Sequence, residues 1–594
     1  MEIKTGDPSQ RIQVATAKRI QKYQQLQGKE VGEFPFWDIV AVGAGDRTQK
    51  VALELQLQEK LALEQLPLGV DYCVIADPGA EKIGDGGSLL VILQCLKETY
   101  RDKLTTKKVL VMPTGGYSQR LPSASLLGKL FLDVPIGDPS LQMFDIKLAL
   151  TIDYPAKMTA GIFLVAADCF ELYDDEDSPE WSFSSPGVTA LGHPSPLSIG
   201  TGHGVFLLPS RQGPRPSVEV VSALKFLHKQ SEEKLCKEGA LLPKEFCNGV
   251  GTDTDMVLTD SCYYMDFTTA LKLRDLYYDE SPLRCEIDGY GDILQPLGSQ
   301  ASTDYISNTA NKTKVTANLT SMRHKIYDIL QGTPLNVAVM QHSHFYHIGT
   351  TNEYLDHICN KTPLAKELGF LRYTPSDPEA LQSEPAKSPT GQEEVEWACV
   401  MNSVCPEGSQ IHDRCVVEYS VFKSPVNVES NSIVSNCCVG AAPDGNLIKI
   451  PGSTFLYTAC VSNGTAKKEF VTVAFGIEDN MKKVVQANCI AELSIFGRSF
   501  EAICGTSLEQ VEGLLFPQKT PRDLWHAKLF EPSSTMEDAF ASTMDLVDKM
   551  TNVSLWEPTA SDWESRLSMA DLIQSKDIFG LLDYKRKVLK DSKT

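Results

Sequence analysis

Val109-Leu-Val-Met-Pro-Thr-Gly-Gly-Tyr-Ser-Gln-Arg-Leu-Pro-Ser-Ala-Ser-Leu-Leu-Gly-Lys129 sets an apolar run of strand type directly before a loop dense in glycines, hydroxyls and cations. Glycines let backbone N–H groups approach phosphate oxygens, and arginine and lysine supply fixed positive charge where negative charge accumulates. On this reading Gly115, Gly116, Ser118 and Gln119 line a nucleotide, while Arg120 and Lys129 face its phosphates. Two familiar phosphate loops are excluded, because Gly128-Lys129 is followed by Leu130 rather than a hydroxyl residue, and G-x-G-x-x-G is absent. The plain alternative is a glycine-rich turn with two surface cations.

Upstream, a polar segment near residues 10 to 30 has helical composition, and Phe36-Trp-Asp-Ile-Val-Ala-Val42 is an apolar run of strand length. Helical spacing follows over residues 48 to 63, and Tyr72-Cys-Val-Ile-Ala76 reads as a second strand. Lys82-Ile-Gly-Asp-Gly-Gly-Ser88 reads as a loop before the helix-like Leu89 to Tyr100. This alternation predicts an α/β fold with a Rossmann-like sheet. Such sheets bind ligands at strand C-terminal ends, so Gly86, Gly87 and Ser88 are candidates to share the crevice of Gly115 to Lys129. Gly86 and Gly87 serve equally to permit a tight turn.

The chain has 594 residues, 42% hydrophobic and 22% charged, enough for two to four domains with substantial cores. A net charge of −21 argues against nucleic acid or an anionic membrane as partner, since both select basic surfaces. The 16 cysteines include adjacent Cys437-Cys438 but no paired CxxC, so neither a disulfide framework nor a zinc site has its usual pattern. Reduced thiols and a cytoplasmic location are the expectation. The polar start Met1-Glu-Ile-Lys-Thr-Gly-Asp7 lacks a signal-peptide core, and no apolar run has membrane-spanning length.

The loop resembles the G-G-x-[GS]-x-R-x-x-P…K signature of sugar nucleotidyltransferases, and its wording Gly-Gly-Tyr-Ser-Gln-Arg-Leu-Pro is similar to the fucose-1-phosphate guanylyltransferase (GDP-L-fucose pyrophosphorylase) family in its monofunctional form. The resemblance implies GTP and β-L-fucose 1-phosphate as substrates and Mg²⁺ as cofactor. It also implies roles further along the chain. Gly161-Ile-Phe-Leu-Val-Ala-Ala-Asp168 is an apolar strand ending where such enzymes place a magnesium ligand, with a turn aspartate as the plain alternative. His193-Pro-Ser-Pro-Leu-Ser-Ile-Gly-Thr-Gly-His-Gly-Val-Phe206 resembles a block of this family, and its hydroxyls and imidazole, Thr201 and His203 among them, suit hydrogen bonds to sugar or base. Phe226-Leu-His-Lys-Gln230 resembles the glutamate-lysine-proline motif whose lysine grips the sugar phosphate, giving that role to Lys229, with departures at His228 and Gln230. Val257 to Asp266, with Asp260, resembles the sugar-pocket lining, and Tyr290 joins it from Cys285-Glu-Ile-Asp-Gly-Tyr-Gly-Asp-Ile-Leu294. That block offers Asp288 first and Asp292 second as the further metal ligand; Gly289 and Gly291 weaken a plain helix there. Phe345-Tyr-His-Ile-Gly-Thr-Thr-Asn-Glu-Tyr-Leu355 resembles the segment closing many such domains.

The expected organisation is an N-terminal helical segment (1–34), a catalytic domain (35–370), a proline-rich polar linker (371–395), a left-handed parallel β-helix-like domain (396–480) and a mixed C-terminal region (481–594). The β-helix rests on Ile411, Val416, Val421, Val426, Val428, Ile433 and Val439, which recur at about five to six residues; a β-sandwich is the alternative. Modules of this kind usually serve assembly or regulation, so a homo-oligomer formed through the C-terminal domains is expected. Three other readings stand beside the main one: transfer to another sugar phosphate, a fusion with a fucokinase, and a noncatalytic nucleotide-sugar-binding scaffold. No second phosphate loop follows residue 400 to support the fusion.

Overall fold

Apolar runs with strand length become a ten-stranded mixed sheet in a computed structural model of the chain. The structure describes all residues except 1–6, 80, 211–215, 244–254, 309–315, 375–395, 443–446, 463–467, 518–519, 553–555, 559–562, 564 and 594. Of the linker expected over 371–395, residues 375–395 lie outside the described residues, as does nearly all of the polar start, whereas Tyr373–Thr374 form a short strand paired in parallel with residues 400–401. The chain divides into two compact units, Met1–Gly116 with Met143–His347, and Tyr117–Gln142 with Ile348–Thr594.

In the first unit the strands are β1 (Ile39–Ala44), β2 (Asp71–Ala76), β3 (Lys108–Pro113), β4 (Gly161–Leu164), β5 (Val188–Pro196), β6 (Gly204–Leu207), β7 (Val218–Ser222), β8 (Lys225–His228), β9 (Met256–Met265) and β10 (Leu335–Met340). Their order is β7-β10-β5-β9-β4-β3-β1-β2, with β6 pairing both β8 and β9. The run β2-β1-β3-β4 is parallel. A parallel sheet covered on both faces selects continuous apolar strands rather than alternating ones. Every residue of β1 is accordingly buried.

The longer helices of the unit are α1 (Pro8–Leu26), α2 (Arg47–Ala62), α3 (Gly84–Tyr100), α4 (Met143–Leu150), α5 (Phe267–Glu280) and α6 (Ala317–Leu330). Asp7, Asp46, Asp266 and Thr316 cap α1, α2, α5 and α6 by accepting backbone N–H groups of the first turn. Helix α3 packs on β1 and against α5, and α5 on α6, around Leu89, Leu90, Ile92, Leu273 and Ile326. Each such side chain contributes roughly 1.5–3 kcal/mol by leaving water. The N-terminal helix is tied in by charge: the buried Arg19 guanidinium stacks 3.6 Å over Tyr173 and pairs with Asp153 and Asp175, and Tyr23 donates to Asp145 at 2.8 Å.

The second unit holds α7 (Thr351–Cys359), strands β11 (Cys399–Met401), β12 (Gln410–Ile411), β13 (Cys415–Glu418), β14 (Val421–Phe422), β15 (Val426–Val428), β16 (Ser432–Ser435), β17 (Cys438–Val439), β18 (Ile448–Ile450), β19 (Thr454–Val461) and β20 (Glu469–Gly476), then α8 (Met536–Thr551) and α9 (Ile578–Asp591). Three parallel ladders run through it: β11-β13-β16-β19, β12-β15-β18 and β14-β17. Successive coils bond at an offset of 17 residues, lengthening to 22 at the last step. One corner recurs in left-handed backbone at Asn402, Tyr419 and Asn436, and another at Arg414, Asn431 and Ser453. Val416, Val426, Val428, Ile433 and Val439 are buried as expected, whereas Ile411 and Val421 are only half-buried. Among the described residues no helix is long and apolar enough to cross a membrane, and the described cysteines are free thiols.

Candidate active site

Three parallel strands of the first unit end side by side, and Gly45, Asp77 and Thr114-Gly115 lie at those ends. The backbones of Gly45 and Gly115 approach so closely that a methyl group on Gly45 would lie 2.2 Å from the Gly115 carbonyl oxygen. Gln49 ties the two segments, accepting from the Gly45 N–H at 2.6 Å and donating to the Thr114 carbonyl at 3.3 Å. Burial pushes the Asp77 carboxyl beside them up to about 6. The Ser88 hydroxyl opposes that shift, although the pair closes no well-formed hydrogen bond. The sequence reading found Gly115 and missed Gly45 and Asp77; their signal was a glycine pair closing one apolar run and an aspartate closing the next.

The expected loop Lys82–Ser88 is corrected: helix α3 begins at Gly84, so Gly86, Gly87 and Ser88 lie within its first turns and are buried. Glycine is costly inside a helix, by about 1 kcal/mol relative to alanine. The compensation is close approach, since a methyl group on Gly86 would meet Asp288 and Gly289 backbone atoms at 2.9 Å. The Gly86 N–H donates to the Ile287 carbonyl at 3.0 Å, and Asp85 accepts the Gly289 N–H at 3.1 Å. These glycines seat the Cys285–Leu294 block on the helix start.

Within that block the two candidate carboxylates separate. Asp292 is fully buried, pairs with Arg323 at 2.7 Å through one oxygen and accepts the Asp288 N–H at 2.8 Å through the other. Both carboxylate oxygens of Asp292 are thus engaged within the protein. Asp288 remains partly exposed, accepts the N–H groups of Tyr290 and Gly291, and lies 3.9 Å from the His228 imidazole. Tyr290 donates to the Ser261 carbonyl at 2.7 Å and stands edge-on to Tyr263.

Lys229 follows β8 in left-handed backbone at φ +48°, a conformation uncommon for a residue with a side chain. Its N–H donates to the His203 carbonyl at 2.9 Å, and the Gln230 amide donates to the His228 carbonyl at 2.8 Å. The departures at His228 and Gln230 thus shape the turn that aims the lysine. The His228 ring occupies the place of a Gly291 side chain, 2.4 Å from where its methyl would be. Asp260 accepts the Gly204 N–H at 2.9 Å, sits at an irregularity in the β9 register, and is raised to about 6 by burial against the opposing pull of Lys229. The His203 ring meets Phe345 and His347, and His347 lies 3.5 Å from Asp168. Asp168 itself lies in a turn beyond β4, before the strand Cys169–Tyr173. Thr201 is spent locally on the Ser198 carbonyl. His193, with both ring nitrogens on serines and a pKa lowered to about 3 by burial, is a neutral core group.

Ser118, Gln119, Arg120 and Lys129 belong to the second unit. Ser118 takes left-handed backbone at φ +48°, Arg120 is exposed, and Lys129 is half-buried at the start of a short 3₁₀ turn. Leu121, Leu126, Leu130 and Phe131 are buried. The Arg120 carbonyl accepts the Thr351 N–H at the head of α7, and the Leu126 carbonyl accepts the Lys576 ammonium, each at 2.9 Å.

Among the described residues no three His, Cys, Asp or Glu side chains converge as a metal cage. Mg²⁺ is commonly held by one or two carboxylates together with substrate phosphates, so the donor chemistry of Asp168 and Asp288 fits that ion.

The model of a family described as the fucose pyrophosphorylase domain matches residues 101–535. A curated mouse relative, fucose-1-phosphate guanylyltransferase, is 37% identical over 595 residues, covering 97% of each chain. The chain belongs to the fucose pyrophosphorylase family. The human fucose-1-phosphate guanylyltransferase is likewise 37% identical, over 98% of this chain and 95% of its own. A UDP-glucose pyrophosphorylase complexed with UDP-glucose overlaps at a TM-score of 0.23 and 10% identity over 61% of this chain and 85% of that one, too low to inform the fold. The family match spans the loop from Gly115 to Lys129, Asp168, Lys229 and Asp288. His228, Gly291 and His347, which carried no assigned role in the sequence, lie beside candidate residues: His228 near Asp288 and packed on Gly291, and His347 near Asp168.

Proposed function

We infer that the chain transfers GMP from GTP to β-L-fucose 1-phosphate, giving GDP-L-fucose and pyrophosphate. The observation that carries this reading is near-full-length identity to relatives named for that activity. The first unit supports it by gathering Lys229, His203, Asp260 and Asp288 around one strand end.

A phosphate oxygen of the sugar phosphate attacks the α-phosphorus of GTP in line, and the bond to the bridging oxygen breaks as pyrophosphate leaves. No protein nucleophile is needed, so positioning and charge neutralisation dominate. Lys229 holds the sugar phosphate, with Asp260 and Tyr290 shaping its surroundings. Arg120 and Lys129 hold the triphosphate and the departing pyrophosphate. Asp168 and Asp288 would hold Mg²⁺, which when bound neutralises charge on the nucleotide phosphates. The parallel ladders and their 17-residue offset support reading the second unit as a parallel β-helix, which we take as left-handed and as the seat of homo-oligomer assembly. Free thiols support a cytoplasmic setting.

Pyrophosphate release is measured with GTP and fucose 1-phosphate beside UTP, ATP and other sugar 1-phosphates. Turnover confined to GTP with fucose 1-phosphate is expected. Preference for another pair removes the substrate assignment, and inactivity with every pair removes the enzyme.

A further inference from the structure

We propose that Lys576 is a positioning residue for the phosphate loop, so that the C-terminal region takes part in nucleotide binding although it carries no catalytic motif. The proposal rests on the reading that Arg120 and Lys129 contact the triphosphate.

A lysine ammonium is strongly hydrated and is seldom withdrawn from water without a partner. Lys576 is buried, and its ammonium donates at 2.9 Å to the carbonyl of Leu126, itself fully buried. Leu126 precedes Lys129 by one turn, with only Leu127 and Gly128 between them. Gly128 takes φ +96°, which lets the chain turn sharply into the segment that begins with the lysine. A contact at Leu126 therefore sets the origin from which Lys129 projects.

The donor stands on a rigid support. On either side of Lys576, the Ser575 carbonyl accepts the Ser462 N–H at 2.8 Å and the Asp577 N–H donates to the Cys460 carbonyl at 2.8 Å, joining it to the end of β19. Asp577 also caps α9 by accepting the Gly580 N–H at 3.0 Å. The far end of the loop is held independently. Asp133 accepts the Tyr419 hydroxyl at 3.0 Å and the Ser140 hydroxyl at 2.9 Å, with the Lys585 ammonium 3.8 Å away, and Asn402 donates to Ser140 at 2.7 Å. Both grips come from elements beyond residue 400, and the segment between them carries Lys129, one of the two cations expected to meet the nucleotide.

The test is steady-state kinetics of the full-length protein and its variants. Lys576→Met keeps the length of the side chain and removes the donor. It is expected to raise the GTP KM about tenfold while the fucose 1-phosphate KM stays within about twofold, because one charge-assisted bond to the nucleotide loop is lost. Lys576→Arg retains a donor and should recover most of the loss. If Lys576 acts through Lys129, the double variant Lys576→Met/Lys129→Ala should be little worse than Lys129→Ala alone. Tyr419→Phe removes one bond of the other grip and should raise the GTP KM selectively, which keeps the proposal testable should Lys576→Met fail to fold. Unchanged KM values, an equal rise in both, or losses that multiply in the double variant would overturn it. A Lys129→Ala variant with an unaltered GTP KM would instead remove the underlying assignment of the loop.

Discussion

At the scale of single residues, Asp168 and Asp292 carry the same group and have different fates. Asp292 is closed into a buried pair with Arg323, so removing one partner leaves a buried charge unmatched. Arg323→Ala is expected to cost about 3–5 kcal/mol, read as a fall in the unfolding midpoint. Asp168 is partly exposed beside His347, so Asp168→Asn should leave that midpoint near wild type and depress pyrophosphate release. Asp260 adds a pH signature. Its carboxyl is raised from the ordinary 3.8 to about 6, so the folded state holds a proton that the unfolded state has released between those values. Stability from this group is full below pH 4 and declines by about 3 kcal/mol as pH rises to 6. Asp77 and Asp479 are raised into the same range. Asp260→Asn should therefore lower the slope of that part of the melting-temperature profile without abolishing it, and an unchanged slope would show that Asp260 contributes none of it. None of these distinctions could be read from spacing: Arg323 lies 31 residues from Asp292, and only folding sets one against the other.

At the scale of elements, apolar patterning located α1, α2 and strands β1 to β4, because burial of continuous apolar runs decides them. It missed the start of α3, where close packing overrides helix propensity. A glycine stands at this helical position because the chain at Asp288 and Gly289 leaves no room for a side chain. Gly86→Ala should therefore destabilise by about 1–3 kcal/mol despite alanine's better propensity, measured as a lower urea midpoint. The coils of the second unit were legible through inward valines, whereas their corners were not. Asn402, Tyr419 and Asn436 share left-handed backbone at 17-residue steps, and tyrosine gives no composition signal for such a turn. Asn436 also donates to the Thr458 carbonyl at 2.7 Å, so Asn436→Ala loses both a buried bond and a tolerated conformation.

At the scale of the molecule, the motif that identified the chemistry is divided between two compact units after Gly116. Local sequence showed the loop as following a strand, and that reading holds for β3. It could not show that residues beyond Tyr117 are packed by elements more than two hundred positions later, since Leu126 and Lys576 are 450 residues apart. The central claim is that one chain presents two separate sets of charge, the loop for the nucleotide and the β8 turn for the sugar phosphate. The most direct measurement is the pair of KM values for Arg120→Ala and Lys229→Ala. The account predicts that Arg120→Ala raises the GTP KM about tenfold or more and Lys229→Ala raises the fucose 1-phosphate KM to a similar degree, each leaving the other substrate within about twofold. Both variants weakening the same substrate, or neither weakening either, would contradict it.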